Sequence, residues 1–340
     1  MKLNVRFVDF WSHFDSDGFL PMIALREVCK ARCVQLCEVD RNAPYSTTDN
    51  VVDIVFFSIF GQSHWKVPPS AIKIFYTGEN ICPDFNACDY AFAFEHLDFG
   101  NRYMRMPNYL STKHFRDIMV QMEQIDRSAF KPDMAKRKFC AFVVSNSNAN
   151  SVRHDFFEAL SVYKRVDSGG RYLNNVGGAV KDKIEFCAQH KFTIAFENTR
   201  HVGYTTEKIV DAFAAGSVPI YWGDPEVCRV FNPKSFIDVT HCKTVDEMVR
   251  KVQAIDTDDD AYMQMLRENP FVDSQFMYRE QYLFVISFVA NMLDNIQNSA
   301  GWHYNREFWG ERYINDRKMA FANANESLIK KFFDKLSKLI

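Results

Sequence analysis

The chain reads as an α/β protein made of two Rossmann-like halves that face each other across a cleft. Three observations carry this reading. Short apolar, β-branched or aromatic runs alternate with helical patterns through most of the 340 residues, as buried parallel strands with crossover helices do. The alternation is interrupted by a polar, charged stretch from about residue 117 to 138, which holds Pro132 and the basic run Lys136-Arg137-Lys138, and then resumes. At about 150 residues per domain, the length accommodates two such halves. The expected division is residues 1–130, residues 131–310 and a C-terminal tail over 311–340.

In the first half the strand candidates are Leu3–Phe10, Val34–Val39, Val52–Phe60, Ile72–Tyr76 and Tyr90–Phe94, with a helical stretch at about Leu20–Lys30. The second half continues with strand Phe139–Val144, helix Val152–Tyr163, strand Lys191–Phe196, helix Thr206–Ala215, strand Val218–Trp222 and helix Val245–Ile255. Residues 274–298 form a long helical segment, and a polar, aromatic stretch, Trp302–Arg317, follows. From Leu328 to Ile340 the apolar residues recur with helical period, and Lys330, Lys331, Lys335 and Lys338 lie between them. Such a basic amphipathic helix either docks on the body or lies in the headgroup region of an anionic membrane.

Composition removes several classes. At 47% hydrophobic and 25% charged residues the chain is an ordinary globular one. Forty-one Lys+Arg against 43 Asp+Glu leave a net charge of −2, so no basic field exists to capture nucleic acid. Asn4, Arg6 and Asp9 interrupt the N-terminal apolar run before a signal-peptide core forms. The longest apolar stretch, Tyr282–Leu293, falls short of the roughly 20 residues a bilayer span needs. Nine cysteines, scattered and without a CxxC, read as reduced thiols. The expected location is the cytoplasm, peripheral on the inner face of the membrane if the tail binds there. GxGxxG, GxxxxGK and GxSxG motifs are missing. Asp256-Thr257-Asp258 lies between helical segments and reads as a cap, not as a metal-binding DxD.

Chemistry concentrates where strands end. One buried strand stops at Glu197-Asn198, and a loop containing Gly203 leads to the N-cap candidates Thr205 and Thr206. The helix then runs to Gly216, a natural C′ residue, and Pro219 enters the next strand. Asn198, Tyr204, Glu207 and Lys208 thereby crowd a strand's carboxyl end and a helix N-terminus, where open α/β sheets bind ligands and where an anion is favoured. A second crossing, Phe142 to Arg153, is rich in Ser and Asn, and Arg153 sits in the first helical turn. A cation there opposes the helix dipole, so an anionic ligand would compensate it. The third candidate, Glu79 in Phe75-Tyr-Thr-Gly-Glu-Asn80, follows a strand of the first half and faces the cleft. Spacing alone leaves ordinary structural roles open for Glu207, Lys208 and Glu79.

At these residues the sequence is similar to the bacterial α-1,3/1,4-fucosyltransferases of glycosyltransferase family 10. The resemblance rests on Phe196-Glu-Asn, Gly203-Tyr-Thr-Thr-Glu-Lys-Ile, Val218-Pro-Ile-Tyr-Trp-Gly, Phe231-Asn-Pro-Lys-Ser-Phe and the Phe75–Asn80 segment. It extends to Cys88-Asp-Tyr-Ala-Phe-Ala-Phe, Arg102-Tyr-Met-Arg-Met-Pro107 and Ser145-Asn to Arg153, covering roughly residues 70–290. It implies a GT-B fold, acceptor contacts mainly in the N-terminal half and GDP-fucose held mainly by the C-terminal half. Carried over, Arg153 and Lys208 bind the diphosphate, Asn198, Tyr204 and Glu207 hold the nucleotide and fucose, and Glu79 is the catalytic base. The implied reaction is inverting α-1,3 transfer of L-fucose to the GlcNAc, or Glc, of lactosamine- or lactose-type glycans. No cofactor is required, because two cations serve the phosphates, although a divalent ion could stimulate. Where family members often read Phe-Asp-Glu-Leu-Asp, this chain has Phe94-Glu-His-Leu-Asp98, a difference that bears on acceptor preference if the segment touches the acceptor. Two rivals stay open: a GT-B enzyme with another nucleotide sugar, and a non-catalytic glycan-binding scaffold held at a membrane through residues 328–340.

Overall fold

In the first sheet every strand is parallel to its neighbours. The chain enters through β1 (Lys2–Val8), passes α1 (Leu20–Ala31) and continues as β2 (Gln35–Glu38), β3 (Val51–Phe57), β4 (Ile72–Tyr76), β5 (Tyr90–Ala93) and β6 (Tyr103–Arg105). The sheet order is β2-β1-β3-β4-β5-β6. Continuous apolar runs such as Ile72–Tyr76 are buried at every position, because helices or loops cover both faces of a parallel sheet. This computed structural model describes residues 1–272 and 278–298, apart from 49, 125, 130, 131 and 133–135, together with 310, 312–320 and 322.

Two helices follow, α2 (Asn108–Ser111) and α3 (Lys113–Gln124). The latter places a helix over the start of the polar, charged stretch that interrupts the alternation from about residue 117. Ile118, Met119 and Met122 form a buried stripe at helical spacing, and the charged outer face hides that stripe in the sequence.

The second sheet repeats the plan: β7 (Lys138–Phe142), α4 (Val152–Tyr163), β8 (Val166–Ser168), α5 (Lys183–Ala188), β9 (His190–Phe196), α6 (Glu207–Ala214), β10 (Val218–Trp222) and β11 (Ile237–Asp238). Then come α7 (Val245–Asp256), α8 (Asp259–Arg267) and α9 (Tyr278–Asn298). The order β11-β10-β9-β7-β8, again parallel, completes the two-sheet GT-B architecture. In both sheets the chain steps to one side of its first strand and then crosses to the other. The crevice at that switch opens beyond the carboxyl ends of β1 and β3 in one lobe, and of β7 and β9 in the other.

The long helix α9 falls in the stretch assigned by sequence to the second half, yet it packs on α1 of the first. Arg32 donates two hydrogen bonds to Asp294, at 2.6 and 3.0 Å, and Val285, Val289, Met292 and Leu293 join the core that holds Leu20 and Leu25. That core runs on into the second lobe through Ile209, Phe213 and Phe231, with the Tyr109 and Phe231 rings edge to face at 5.8 Å. The lobes are therefore packed together beneath the cleft.

Asp258 caps α8, accepting from the Ala261 N–H at 2.9 Å, as expected of a capping residue. All nine cysteines are free. Among the described residues no helix is long and apolar enough to cross a membrane. The basic amphipathic segment 328–340 lies outside the described residues.

Candidate active site

The second lobe contributes a cation at its switch point. The loop after β7 is tied to the end of β9 by the Asn150 N–H, which donates to the Asn198 carbonyl at 2.8 Å, and α4 begins just beyond it. Arg153 in the first turn of α4 is 1% exposed. Its guanidinium donates to Asn198 Oδ1 at 2.9 Å and to the Asn146 carbonyl. Among the described residues no carboxylate lies within ion-pair distance of it. Burial pulls its pKa below the usual arginine range, but a guanidinium remains charged at any ordinary pH. The result is a buried positive charge held by neutral oxygens.

The second cation is Lys208 in the first turn of α6, and its surroundings differ. The Lys208 ammonium donates to Glu197 Oε2 and to Thr206 Oγ1, both at 2.9 Å. Glu197, wholly buried at the end of β9, also accepts from the Thr206 N–H and hydroxyl, each at 2.7 Å. This corrects the reading of Thr205 and Thr206 as side-chain caps. Thr206 occupies the N-cap position, but its hydroxyl serves Glu197, and the Thr205 hydroxyl donates to Asp224 at 3.1 Å. A fully buried carboxylate requires donors more urgently than a helix end that can still reach solvent. Gly216 does close α6, at φ +61°, with its N–H on the Phe213 carbonyl and the Ser217 N–H on Ala212, the two bonds of a Schellman motif.

Charge balances locally. Burial works to lower the Lys208 ammonium, and Glu197 and Glu207 outweigh it and raise it. Burial works to raise the Glu207 carboxyl, and Lys208 and Lys183 hold it below the usual range. Burial pushes Glu197 up against the pull of Lys208. The positive charge of Arg153 works in the opposite sense on Lys208, lowering its ammonium, and is outweighed by the two glutamates.

The first lobe supplies an acid. Glu79 lies in the loop after β4, exposed, with its N–H on Thr77 Oγ1 at 3.0 Å. It shares a cavity of about 450 Å³ with Glu207 of the other lobe; Trp11, Phe60 and Phe115 wall it, and Asn108 joins them. Asn108 Nδ2 donates to Glu207 Oε2 at 3.1 Å, so a first-lobe amide orients a second-lobe carboxylate. Phe60 is 51% exposed, standing edge-on to Trp11 with ring centroids 6.0 Å apart. Its loop is clamped by Asp9, whose carbonyl accepts from the Phe60 N–H at 2.9 Å and whose carboxylate accepts from the Ser63 and His64 N–H groups, each at 2.8 Å.

Contacts across the cleft bind the walls together. Asn80 Nδ2 donates to Thr199 Oγ1 at 2.5 Å, and His201 Nε2 lies 3.0 Å from Glu95 Oε1. Gly203 is obligatory at its position: its φ is +81°, and a Cβ there would stand 2.9 Å from the Phe94 carbonyl oxygen. The Phe94–His96 segment thus faces the 201–204 loop. Tyr204 is buried with its ring edge-on to Phe94 at 5.0 Å, and burial with the charges of Glu197, Glu79 and Glu207 raises its hydroxyl pKa.

Of the six residues singled out from the sequence, Glu79 and Glu207 line the cavity, Lys208 follows Glu207 in the first turn of α6, Arg153 bonds Asn198, and Tyr204 is buried against Phe94. Sequence reasoning passed over Glu197, although a carboxylate ending an otherwise apolar strand was a visible signal. It also passed over Trp11, Phe60, Phe115 and Asn108, which no local pattern marks.

A pair of parallel sheets with like switch points, packed together beneath a cleft, defines the GT-B class. Residues 133–298 match the family described as glycosyltransferase family 10 (fucosyltransferase) C-term, and residues 5–111 match the alpha-(1,3)-fucosyltransferase FucT N-terminal domain. The chain belongs to glycosyltransferase family 10, the fucosyltransferases. It is 37% identical over 275 residues to the alpha-(1,3)-fucosyltransferase FucT of Helicobacter pylori, a match covering 72% of this chain and 57% of that protein. It is 34% identical over 136 residues to a bovine 3-galactosyl-N-acetylglucosaminide 4-alpha-L-fucosyltransferase, covering 39% of this chain and 37% of that one. The chain therefore spans little more than half, or less, of the length of these relatives. A crystal structure of an alpha1,3-fucosyltransferase with GDP-fucose superposes with a TM-score of 0.70 at 33% identity, over 89% of this chain and 92% of that one.

Proposed function

We propose that the protein transfers L-fucose from GDP-fucose, with inversion, to a hydroxyl of GlcNAc or Glc in a lactosamine- or lactose-type glycan. The observation that carries this reading is the buried Arg153 guanidinium without a carboxylate partner among the described residues, in a lobe whose Lys208 follows Glu207, the residue that shares a cavity with Glu79 of the other lobe. A diphosphate is the anion that such a pair of cations suits, and Glu79 supplies the opposing base. The Glu79 carboxylate takes the proton of the acceptor hydroxyl as its oxygen attacks the anomeric carbon. The bond from that carbon to the phosphate oxygen breaks, and its electron pair leaves with GDP. Arg153 and Lys208 stabilise the charge growing on the departing diphosphate. Asn198, Tyr204 and Glu207 hold the nucleotide and fucose, and the cavity walled by Trp11, Phe60 and Phe115 receives the acceptor sugar. Because the chain's own cations serve the phosphates, the reaction proceeds without a metal, and a divalent ion acts at most as a stimulant.

The direct test incubates the protein with GDP-fucose and N-acetyllactosamine and determines the product linkage by NMR. Glu79→Gln is expected to lower kcat by roughly 10²- to 10⁴-fold, the usual worth of a general base, while GDP still binds. Turnover retained in that variant would remove Glu79 from its role. For the tail, weaker liposome binding by a chain ending at Glu326 than by the full chain is the expected result, and equal binding would remove the membrane contact.

A further inference from the structure

Glu197 takes no part in the reaction just described, yet its buried carboxylate accepts from the Thr206 N–H, the Thr206 hydroxyl and the Lys208 ammonium. We infer that Glu197 is a positioning residue for Lys208, holding the ammonium in place with one of its N–H groups directed to an incoming phosphate. An ammonium has three donors. Two are taken by Glu197 Oε2 and Thr206 Oγ1 at 2.9 Å each, and the nearest remaining carboxylate oxygen among the described residues, Glu207 Oε1, is 3.9 Å away, beyond hydrogen-bond reach. Among the described residues the third donor has no hydrogen-bond partner.

Glu197 itself cannot swing aside. Its N–H is fixed to the Trp222 carbonyl at 2.9 Å, and its side chain lies so close over Gly223 that a Cβ there would come within 2.5 Å of Glu197 Cγ. The Thr206 N–H and hydroxyl complete its bonding. A lysine side chain on its own explores many rotamers and loses that entropy when it is ordered. Anchoring it to a rigid, buried carboxylate meets that cost before the ligand arrives, which is how preorganisation raises affinity.

The inference rests on the reading of Lys208 as a diphosphate ligand, and it makes a prediction of distinctive sign. A negative charge beside an anion site repels the anion. If Glu197 acted through its field alone, Glu197→Gln would tighten GDP binding; as a positioning residue, its loss weakens it. Calorimetric titration of the full chain with GDP is expected to show at least tenfold weaker binding in Glu197→Gln, with donor KM raised and acceptor KM unchanged. Adding Glu197→Gln to Lys208→Met is expected to cost no further affinity and to raise Tm, because the acid left without its lysine is relieved. Glu197→Asp, which keeps the charge but withdraws it, is expected to weaken GDP as well, and it serves if the glutamine variant fails to fold. Equal or tighter GDP binding in the single variants, or the same loss with and without Lys208, would overturn the inference. A native protein that binds no GDP would instead overturn the proposed function beneath it.

Discussion

Replacing Arg153 by Met separates a binding role from a structural one, because the two predict different signs. The side chain is 1% exposed and bonded to neutral oxygens, so the folded protein carries the desolvation of a guanidinium that no ion pair among the described residues offsets. Met fills similar volume and removes that cost. Against this, Asn198 Oδ1 and the Asn146 carbonyl lose a donor, at about 1–3 kcal/mol for a buried acceptor left unsatisfied. The two effects oppose each other, and the stability of the unliganded protein is expected to change by no more than about 1 kcal/mol. Affinity should behave otherwise. A unit charge about 4 Å from a phosphate, at an effective dielectric near 20, contributes roughly 4 kcal/mol, and a charge-assisted hydrogen bond in mutational series about 1.5–3. A loss of 2–4 kcal/mol corresponds to GDP binding about 30- to 700-fold more weakly. Thermal unfolding with and without GDP reads both quantities. At 100 times its Kd the ligand stabilises the native protein by about 2.7 kcal/mol, and a variant with a Kd 100-fold higher gains about 0.4 at the same concentration. A variant whose unliganded Tm falls steeply while its GDP shift stays native would show that Arg153 is a structural arginine, and the diphosphate assignment would fail.

Trp11→Ala tests the acceptor wall: losing roughly 60 Å² of apolar contact at ~25 cal/mol/Å² costs about 1.5 kcal/mol, so acceptor KM should rise about tenfold with donor KM unchanged. A parallel rise in donor KM would move the acceptor elsewhere. Gly203→Ala forces an L residue to φ +81° against the Phe94 carbonyl and should destabilise the fold by about 1–3 kcal/mol, read as a lowered Tm. An unchanged Tm would show that the lobe junction can yield there. Asp167 illustrates pH linkage. Burial works to raise its carboxyl, and hydrogen bonds from Arg165, Lys138 and His190 outweigh it and hold the pKa down to about 2. A depressed carboxylate stabilises the fold above the ordinary aspartate pKa. Asp167→Asn should therefore cost about 2 kcal/mol at pH 7, with the gap to the native protein closing as pH falls from about 4 to about 2. A gap that stays constant over that range in urea titrations would refute the linkage.

Much of the fold was legible because its signals are local. Runs such as Ile72–Tyr76 and Lys191–Phe196 are apolar whichever strands they pair with, and α1, α4, α6 and α7 declare themselves through periodicity and their end residues. The short strands β6, β8 and β11, two or three residues long, carry too little pattern to be seen. In α3 the charged face masks the buried stripe of Ile118, Met119 and Met122. Site residues followed the same division. Arg153, Asn198 and Lys208 stand at strand ends and helix starts, where backbone geometry alone creates a demand for particular side chains.

What the chain order could not decide is which distant residues meet. The Asn108–Glu207 hydrogen bond joins residues 99 apart, Asn80–Thr199 joins residues 119 apart, and Arg32 meets Asp294 across 262. The aromatic walls of the cavity beside Glu79 come from three separate loops and helices that share no motif. Periodicity and end residues report a segment's own preference for helix, strand or turn, so they are written along the chain. The pairing of Lys208 with Glu197, the bonding of Arg153 to neutral oxygens and the packing of α9 on the first lobe depend on how buried charge and apolar surface are shared between segments. That sharing exists only once the two sheets have packed together.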